Sequence, residues 1–132
     1  MFTFDYDNSY DPPIPVANVE LRSDKDSSMG VHLTGILDSG SDVTLVPVRV
    51  LRRIGAQFVG ERWFRGVIGN AQRAELYVIH LRVGNIDLPG IRAIARTEDA
   101  ETILGRNVLN RLTVLLNGPA ETTEIADSAS GT

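Results

Sequence analysis

The chain has 132 residues, of which 42% are hydrophobic and 23% charged, and this composition is typical of one globular domain with a single core. A formal net charge of -4 argues against a nucleic-acid partner, and the absence of cysteine excludes disulfides, thiolate metal sites and a cysteine nucleophile. No apolar run approaches the roughly 20 residues that a membrane-spanning helix needs, and the N-terminus is acidic where a signal peptide is basic, so we expect a cytoplasmic protein with no membrane partner.

Residues 1–15 are predicted to form an N-terminal arm that precedes the core. Phe2, Phe4 and Tyr6 alternate with polar residues, as in a half-buried strand, and prolines follow at positions 12, 13 and 15. Residues 16–126 carry the pattern of one domain. Residues 127–132 are predicted to be a flexible tail.

From residue 16 onward the pattern is mostly β, with short apolar runs separated by turn-forming residues. The predicted strands are 16–22, 31–37, 43–46, 61–67, 73–83, 91–95, 103–104, 113–116 and 122–126. One short helix is predicted over 48–54, and a second contains Val108, Leu109 and Leu112 on one side. Many short strands with two short helices predict a mostly β domain.

The most informative segment is an apolar strand that runs directly into Asp38, which is followed by three small residues. The residues that frame this carboxylate are apolar, namely Ile36, Leu37, Val43 and Leu45. A carboxylate in such surroundings is costly unless it has partners. The segment is therefore a candidate for catalysis by paired aspartates.

A second motif strengthens this interpretation. Residues 37–44 read LDSGSDVT, and residues 103–109, further along the chain, read ILGRNVL. Together they resemble the active-site motifs of retroviral-type, or retropepsin-like, aspartic proteases, most closely the single-domain bacterial members. The resemblance covers residues 16–126 and implies a single-lobe β-barrel with one or two short helices. It also implies an endopeptidase that needs no cofactor or metal.

An aspartic protease uses two carboxylates that share one proton, one acting as base and one as acid toward a water molecule. This chain offers one suitable Asp-Ser-Gly, at Asp38, because residues 127–131 have the wrong spacing and lie in the tail. The resemblance therefore implies a symmetric homodimer in which Asp38 meets its own copy on the two-fold axis. The expected substrate is an extended peptide or protein segment flanked by apolar side chains.

Three small residues are expected to support Asp38. The resemblance implies that the Ser39 hydroxyl reaches the loop of the other subunit, although a plain turn serine is the alternative. Gly40 allows a tight turn without a Cβ. A hydrogen bond donated by Ser41 to the Asp38 carboxylate would favour its charged form, which predicts an acidic activity optimum.

The resemblance assigns three further supporting residues. Asp42 and Arg106 would form an internal ion pair that ties the active-site loop to the C-terminal helix. Gly105 would let the strand before it pass close beneath the catalytic loop, although a simple helix-start glycine is the alternative.

The hairpin between the strands 61–67 and 73–83 matches the position of the family's flap, which closes over the peptide. An ordinary surface hairpin is the alternative. The flap candidates are Gly66, Val67, Ile68, Gly69 and Asn70. Candidates for the substrate pockets, any of which could instead be core, are Val31, Leu33, Val67, Ile68 and Ile103. Trp63 and Phe64 fit either the cleft or the core.

The chain departs from the family pattern at both ends. Its N-terminal arm is longer and interrupted by proline, and the chain continues well past Leu116. Residues 2–6 and 122–126 could therefore supply a rebuilt dimer interface, or the arm could be a processed pro-segment or occupy the cleft. His32 and His80 lie far apart in strand-like segments, and we interpret both as structural.

Two other functions compete with the protease. A non-catalytic module could keep the fold and bind peptides or a protein partner without cleaving them. Residues 38–41 could also be a linear signal of the phosphorylated-degron kind, but such a motif belongs in an exposed, disordered segment rather than after an apolar strand.

Overall fold

The computed structural model describes residues 1–26, 28–65, 69 and 71–127, which form a mostly β structure with two short helices. The strands are β1 (Phe2–Asp5), β2 (Val16–Ser23), β3 (Gly30–Leu37), β4 (Thr44–Pro47), β5 (Gln57–Arg65), β6 (Ala71–Val83), β7 (Ile86–Arg96), β8 (Thr102–Leu104), β9 (Leu112–Asn117) and β10 (Thr122–Asp127). The helices are α1 (Val48–Arg53) and α2 (Arg106–Leu109).

The larger sheet has seven strands in the order β2-β3-β8-β4-β7-β6-β5, and an additional pairing of β2 with β6 closes it into a barrel. The closure brings Leu21 of β2 opposite Leu81 of β6, and both side chains are fully buried. Most neighbouring strands are antiparallel, but β8 runs parallel to β3, and β7 runs parallel to β4. The parallel pairing of β8 with β3 places the ends of these two strands side by side.

The strands predicted over 16–22 and 31–37 are confirmed as β2 and β3, which pair as an antiparallel hairpin. Ala17, Val19 and Leu21 are buried at every second position of β2, as a strand with one face in the core requires. Val19 lies opposite Leu33 in the antiparallel pairing with β3. The alternation of the sequence thus sets both the strand and its register.

Strand β7 is longer than the predicted strand 91–95, because it begins at Ile86 and continues through Pro89 and Gly90. Gly90 has a φ of 68°, a conformation that glycine adopts without strain. Its N–H donates to Asp24 Oδ1 at 3.1 Å. The pairing with β6 is irregular nearby, so Pro89 and Gly90 mark a bulge within a strand and not its end.

The second helix is shorter than predicted, since α2 ends at Leu109 and Leu112 begins β9. The N–H of Asn110 donates to the Arg106 carbonyl at 2.8 Å, which completes a single turn. Leu112 still packs against the core, but from a strand. A strand and a helix can bury the same apolar residue, which is why the pattern of residues 108–112 favoured the wrong element.

The smaller sheet has three strands in the order β1-β10-β9. The strand predicted over the first residues is confirmed, with Phe2 opposite Ile125 and Phe4 opposite Thr123. Phe2 and Phe4 pack against the core. The two segments that could supply a dimer interface, one of the alternatives left open above, thus pair with each other inside one chain. The domain boundary at residue 15 stays a prediction.

The described residues include no helix that is both long and apolar enough to span a bilayer.

Candidate active site

Asp38 lies at the point where β3 leaves the sheet. Its N–H donates to the Leu104 carbonyl of β8 at 3.1 Å, which continues the parallel pairing by one residue. The chain then turns, with the Ser41 N–H donating to the Asp38 carbonyl at 3.1 Å and the Gly40 N–H donating to Asp38 Oδ1 at 2.9 Å. The side chain of Asp38 is exposed in the single chain. The loop thus fixes one carboxylate oxygen and presents the group to solvent.

Gly105 lies directly beneath this loop. A Cβ built on it would be 2.3 Å from the Val43 carbonyl oxygen and 2.9 Å from the Ser41 carbonyl oxygen. Both are backbone atoms, so they cannot move aside as a flexible side chain could. The close passage predicted for Gly105 is confirmed.

Arg106 holds the loop through its backbone and its side chain. The Arg106 N–H donates to the Ser41 carbonyl at 2.8 Å, and Nη1 donates to the Ser39 carbonyl at 2.7 Å. The predicted ion pair with Asp42 is wrong, because no ion pair among the described residues joins the two side chains. The guanidinium binds a carbonyl of the loop instead, and the Asp42 side chain is exposed.

The hydrogen bond predicted from Ser41 to the Asp38 carboxylate is also wrong. The Ser41 hydroxyl donates to the Val43 carbonyl at 2.7 Å, because the turn brings that oxygen close to a side chain only two residues earlier. The Gly40 N–H donates to the carboxylate instead. The argument for an acidic optimum therefore loses its basis in Ser41. The role of the Ser39 hydroxyl toward another subunit stays a prediction.

A polar network centred on the buried Thr44 braces the site and was not predicted from the sequence. Thr44 is fully buried, and its Oγ1 accepts the Gly105 N–H at 3.2 Å and donates to Asn107 Oδ1 at 2.8 Å. Asn107 Nδ2 in turn donates to the Arg92 carbonyl at 2.8 Å. The network joins β4, α2 and β7. Thr44 and Asn107 lie within the two sequence motifs. The signal that could have predicted the network is a polar residue, Thr44, at a core position of β4.

Asp38 lies in a cleft of about 580 Å³. Its lining is mainly apolar, with three polar residues besides Asp38, and consists of Tyr10, Ile14, Ile36, Leu37, Asp38, Leu45, Arg96, Glu101 and Ile103. Among the predicted pocket residues, Ile103 lines this cleft. Val31 and Leu33 line an adjoining cavity of about 370 Å³, which shares Tyr10, Ile36 and Glu101 with the cleft.

The N-terminal arm forms part of the cleft wall. The Tyr10 hydroxyl donates to Glu101 Oε2 at 2.5 Å, and Arg96 Nη1 donates to the Glu101 carbonyl at 2.7 Å. The hydrogen bond from Tyr10 lowers the pKa of Glu101, and the same bond raises the pKa of Tyr10. The cleft therefore has a polar corner opposite its apolar residues.

The cleft continues toward the hairpin of β5 and β6. Leu45 and Arg96 also line a neighbouring cavity of about 570 Å³, together with residues 72–75 of β6. Trp63 of β5 is 62% exposed, and the Arg73 guanidinium lies 5.1 Å from its ring centroid, so Trp63 belongs to the surface of the hairpin. The structure does not describe the side chain of Phe64.

Most of the predicted flap lies outside the described residues, namely Gly66, Val67, Ile68 and Asn70. Gly69 is described and has a φ of 83°, and no atom lies within 4 Å of a Cβ built on it.

Both histidines contact carboxylates. His32 Nε2 is 3.1 Å from Glu20 Oε2, and His80 Nε2 is 2.9 Å from Asp87 Oδ1. Within the described ranges, no three His, Cys, Asp or Glu residues cluster as a metal site would require. A cavity of about 750 Å³ near Glu20 and His32 is larger than the Asp38 cleft, but it includes no residue of the Asp38 loop.

The closed barrel, with an Asp-Ser-Gly turn braced by a Gly-Arg element, defines a retropepsin-like fold. A retropepsin-like aspartic protease from Rickettsia conorii matches with a TM-score of 0.64 at 11% identity, covering 95% of this chain and 91% of that chain. EIAV protease, solved with the inhibitor HBY-793, matches with a TM-score of 0.55 at 18% identity over 74% of this chain and 86% of that chain.

The retroviral protease-like domain of Ddi1 from Leishmania major matches with a TM-score of 0.52 at 16% identity, covering 85% of this chain and 89% of that chain. No family model and no curated protein matches the sequence. The predicted resemblance and fold class are confirmed: the chain is a single-lobe, retropepsin-like β-barrel.

Proposed function

We propose that this protein is an aspartic endopeptidase that acts as a homodimer and hydrolyses peptide bonds with a water molecule held between two Asp38 carboxylates. One observation carries the proposal. Asp38 is exposed at a cleft in a retropepsin-like barrel, and the Gly40 N–H fixes one of its oxygens at 2.9 Å. An exposed carboxylate held this rigidly is ready to meet a symmetric copy.

The second carboxylate must come from another chain. Glu101 lines the same cleft, but the Tyr10 hydroxyl and the backbone N–H of Glu101 itself already bind its carboxylate at the cleft wall. A second copy supplies an Asp38 in an identical loop, and two such carboxylates share one proton because both cannot ionise cheaply at close range. The bracing by Gly105, Arg106 and Thr44 supports this role, since catalytic groups must be held within fractions of an ångström.

The chemistry then follows general acid–base catalysis. The ionised Asp38 takes a proton from water as the water oxygen attacks the peptide carbonyl, and the protonated Asp38 of the second subunit donates a hydrogen bond to the carbonyl oxygen. Collapse of the tetrahedral intermediate breaks the C–N bond, and the leaving amine takes a proton from the carboxyl pair. No covalent enzyme intermediate forms. Residues 66–70 stay the candidate flap that excludes water during these steps.

The substrate we propose is an extended peptide. The cleft at Asp38 and the neighbouring cavity along β6 share Leu45 and Arg96, so together they offer an elongated groove. Ile36 and Ile103 provide apolar contacts close to Asp38. Substrate side chains that reach the polar corner at Glu101 would be selected by their ability to form hydrogen bonds there.

The experiment compares wild type, Asp38→Asn and Asp26→Asn for cleavage of a mixed peptide library from about pH 4 to 7, the range in which a shared-proton pair operates. Asp26→Asn makes the same change at an exposed turn outside the cleft. We expect Asp38→Asn to lose at least about 1000-fold in rate, because both carboxylates of the dimer are replaced, and Asp26→Asn to match wild type.

Each variant is also sized in solution and checked for folding by circular dichroism. Cleavage by Asp38→Asn at the wild-type rate would overturn the proposal. Failure of a folded wild-type dimer to cleave any library peptide would do the same, and would favour the non-catalytic peptide-binding module.

A further inference from the structure

We propose that the Glu101 carboxylate selects a basic side chain, lysine or arginine, of the bound peptide at a position within about three residues of the scissile bond. This assignment rests on the proposed function and names the substrate class of the same cleft. The test below measures peptide binding apart from cleavage, so the selectivity and the peptidase can fail separately.

Glu101 is a charged group of the cleft that has no cationic partner. Its carboxylate accepts hydrogen bonds from the Tyr10 hydroxyl and from its own backbone N–H. None of the ion pairs among the described residues includes Glu101. A carboxylate can accept about four hydrogen bonds, so this one can accept more from a ligand. An ammonium or guanidinium group is the ligand chemistry that matches an ionised carboxylate.

Glu101 also keeps its charge in acid, where an aspartic protease works. The hydrogen bond from Tyr10 lowers the pKa of Glu101, and the charge of Arg96 lowers the pKa further. A glutamate without such partners is about half protonated near pH 4.3, within the range of a shared-proton pair. Glu101 therefore remains a carboxylate over most of the pH range in which Asp38 would be active.

The N-terminal arm is built to hold Tyr10 at this place. Its loop is closed by two backbone hydrogen bonds, from the Asp7 N–H to the Ile14 carbonyl at 2.9 Å and from the Ile14 N–H to the Asp7 carbonyl at 3.1 Å. The Pro15 carbonyl then accepts the Leu37 N–H at 3.1 Å, one residue before the catalytic aspartate. The loop that carries Tyr10 is thus fixed to the strand that leads into the active site.

Strand geometry sets the distance of Glu101 from the scissile bond. Glu101 directly precedes β8, and the carbonyl of Leu104, the last residue of β8, accepts the Asp38 N–H. The three steps from Glu101 to Leu104 span about 10 Å, a distance that an extended peptide also covers in about three residues. In a symmetric dimer the second Glu101 lies equally far away on the other side of the bond. Basic residues on either side are therefore selected.

Arg96 does not compete for this role. Among the described residues that line the Asp38 cleft, Arg96 is the one cation. Its Nη1 donates to the Glu101 backbone carbonyl at 2.7 Å and so positions the residue without neutralising its carboxylate in an ion pair. If Arg96 received the substrate instead, the cleft would prefer an acidic side chain, and the test includes that outcome.

The binding test uses the full chain with Asp38→Asn, which keeps the cleft and does not cleave the probes. The probes are capped peptides of about eight residues in which apolar residues alternate with serine. One position carries lysine, norleucine or glutamate, and this position is moved along the peptide. Norleucine keeps the aliphatic stem of lysine and lacks its charge. Fluorescence anisotropy of the labelled peptides measures each dissociation constant at pH 5.

We expect the lysine peptide to bind about tenfold more tightly than the norleucine peptide at one position or at a symmetric pair, because a hydrogen bond to a charged group contributes about this factor. Glu101→Gln should abolish the difference, since glutamine keeps the shape and an acceptor for Tyr10 but not the charge. The matched control Glu98→Gln should preserve it, because Glu98 is exposed in the preceding loop and does not line the cleft. Circular dichroism checks that each variant is folded.

Tyr10→Phe tests the positioning role of the arm through a pH profile. The other charged or titratable groups around Glu101 are Asp38 and Arg96 in the cleft and Asp7, His32 and Arg49 in the adjoining cavity. These groups are the same with and without the Tyr10 hydroxyl, so a difference between the profiles reports on Glu101. Loss of the Tyr10 bond raises the pKa of Glu101 toward its ordinary value. On acidification, Tyr10→Phe should lose the lysine preference at a higher pH than its parent, and identical profiles would overturn the role of Tyr10.

Equal affinity of the lysine and norleucine peptides at every position, a preference for glutamate, a lysine preference that survives Glu101→Gln, or no binding of any peptide would each overturn the selectivity. Cleavage of library peptides by wild type with no lysine preference in binding would leave the peptidase standing and overturn the selectivity. A lysine preference that Glu101→Gln abolishes, in a folded protein that cleaves nothing, would do the reverse.

Discussion

Replacing Gly105 with alanine should strongly destabilise the fold, because the added methyl group meets backbone atoms. The new Cβ would lie 2.3 Å from the Val43 carbonyl oxygen, 2.5 Å from the Val43 carbonyl carbon and 2.9 Å from the Ser41 carbonyl oxygen. Forced overpacking costs about 1–3 kcal/mol, and a shift of Gly105 also weakens its buried N–H bond to Thr44, worth about 1 kcal/mol. We therefore expect Gly105→Ala to lose about 3 kcal/mol.

The control is Gly118→Ala, because no atom lies within 4 Å of a Cβ at Gly118 and its φ is not positive. Alanine there should be neutral or stabilise the fold by up to about 1 kcal/mol, because it reduces the conformational entropy of the unfolded chain. Urea unfolding followed by circular dichroism, at one fixed protein concentration, measures both variants, and the melting temperature of Gly105→Ala should fall by about 10 °C. Equal stability of the two variants would refute the reasoning from close backbone contact.

Three further predictions test the bracing and the charges. Thr44→Val should lose about 2–4 kcal/mol in urea unfolding, because the buried Gly105 N–H and the partly buried Asn107 side chain both lose a hydrogen bond. Thr44→Ser keeps the hydroxyl and should lose about 1 kcal/mol, and equal losses would contradict this. Tyr10→Phe should raise the pKa of Glu101 toward its ordinary value, as an NMR titration would show, and an unchanged pKa would disprove the contact in solution. The hydrogen bond from Arg22 lowers the pKa of Glu20. The stability that this bond contributes is therefore present above the unfolded pKa of about 4.3 and is lost as the pH falls through the folded pKa. The loss of unfolding free energy in Glu20→Gln relative to wild type should be smaller at pH 3 than at pH 6, and an equal loss at both pH values would contradict this.

Local pattern predicted much of the fold. The alternation in β2 and β3 predicted both strands, and the segment between Pro47 and Gly55 predicted α1. Failures occurred where one pattern fits two elements. Pro89 and Gly90 are turn formers in isolation, but here the hydrogen bond from Gly90 to Asp24 holds them inside a strand. A contact between residues so distant in sequence cannot be read from neighbouring residues.

The candidate site shows the same limit. The motifs identified Asp38, Gly105 and Arg106, and the close passage at Gly105 followed correctly from its lack of a side chain. The partners of Ser41 and Arg106 were predicted wrongly because hydrogen-bond choice depends on geometry within a few ångströms. Both side chains bind backbone carbonyls of the loop, and every residue carries a carbonyl, so nothing in the sequence distinguishes the one that is used.

The pairing of β1 with β10 has a consequence for synthesis. Phe2 lies opposite Ile125, so β1 cannot pair until a strand far later in the chain has been made. Contacts this far apart in sequence are slow to form, and we expect β1 and β10 to gain hydrogen-exchange protection together and late during refolding. Strand β9 depends on β10 for its own neighbour. Until β10 has been made, neither β1 nor β9 has the strand that it pairs with in the three-stranded sheet, so this sheet forms only after the barrel strands have left the ribosome.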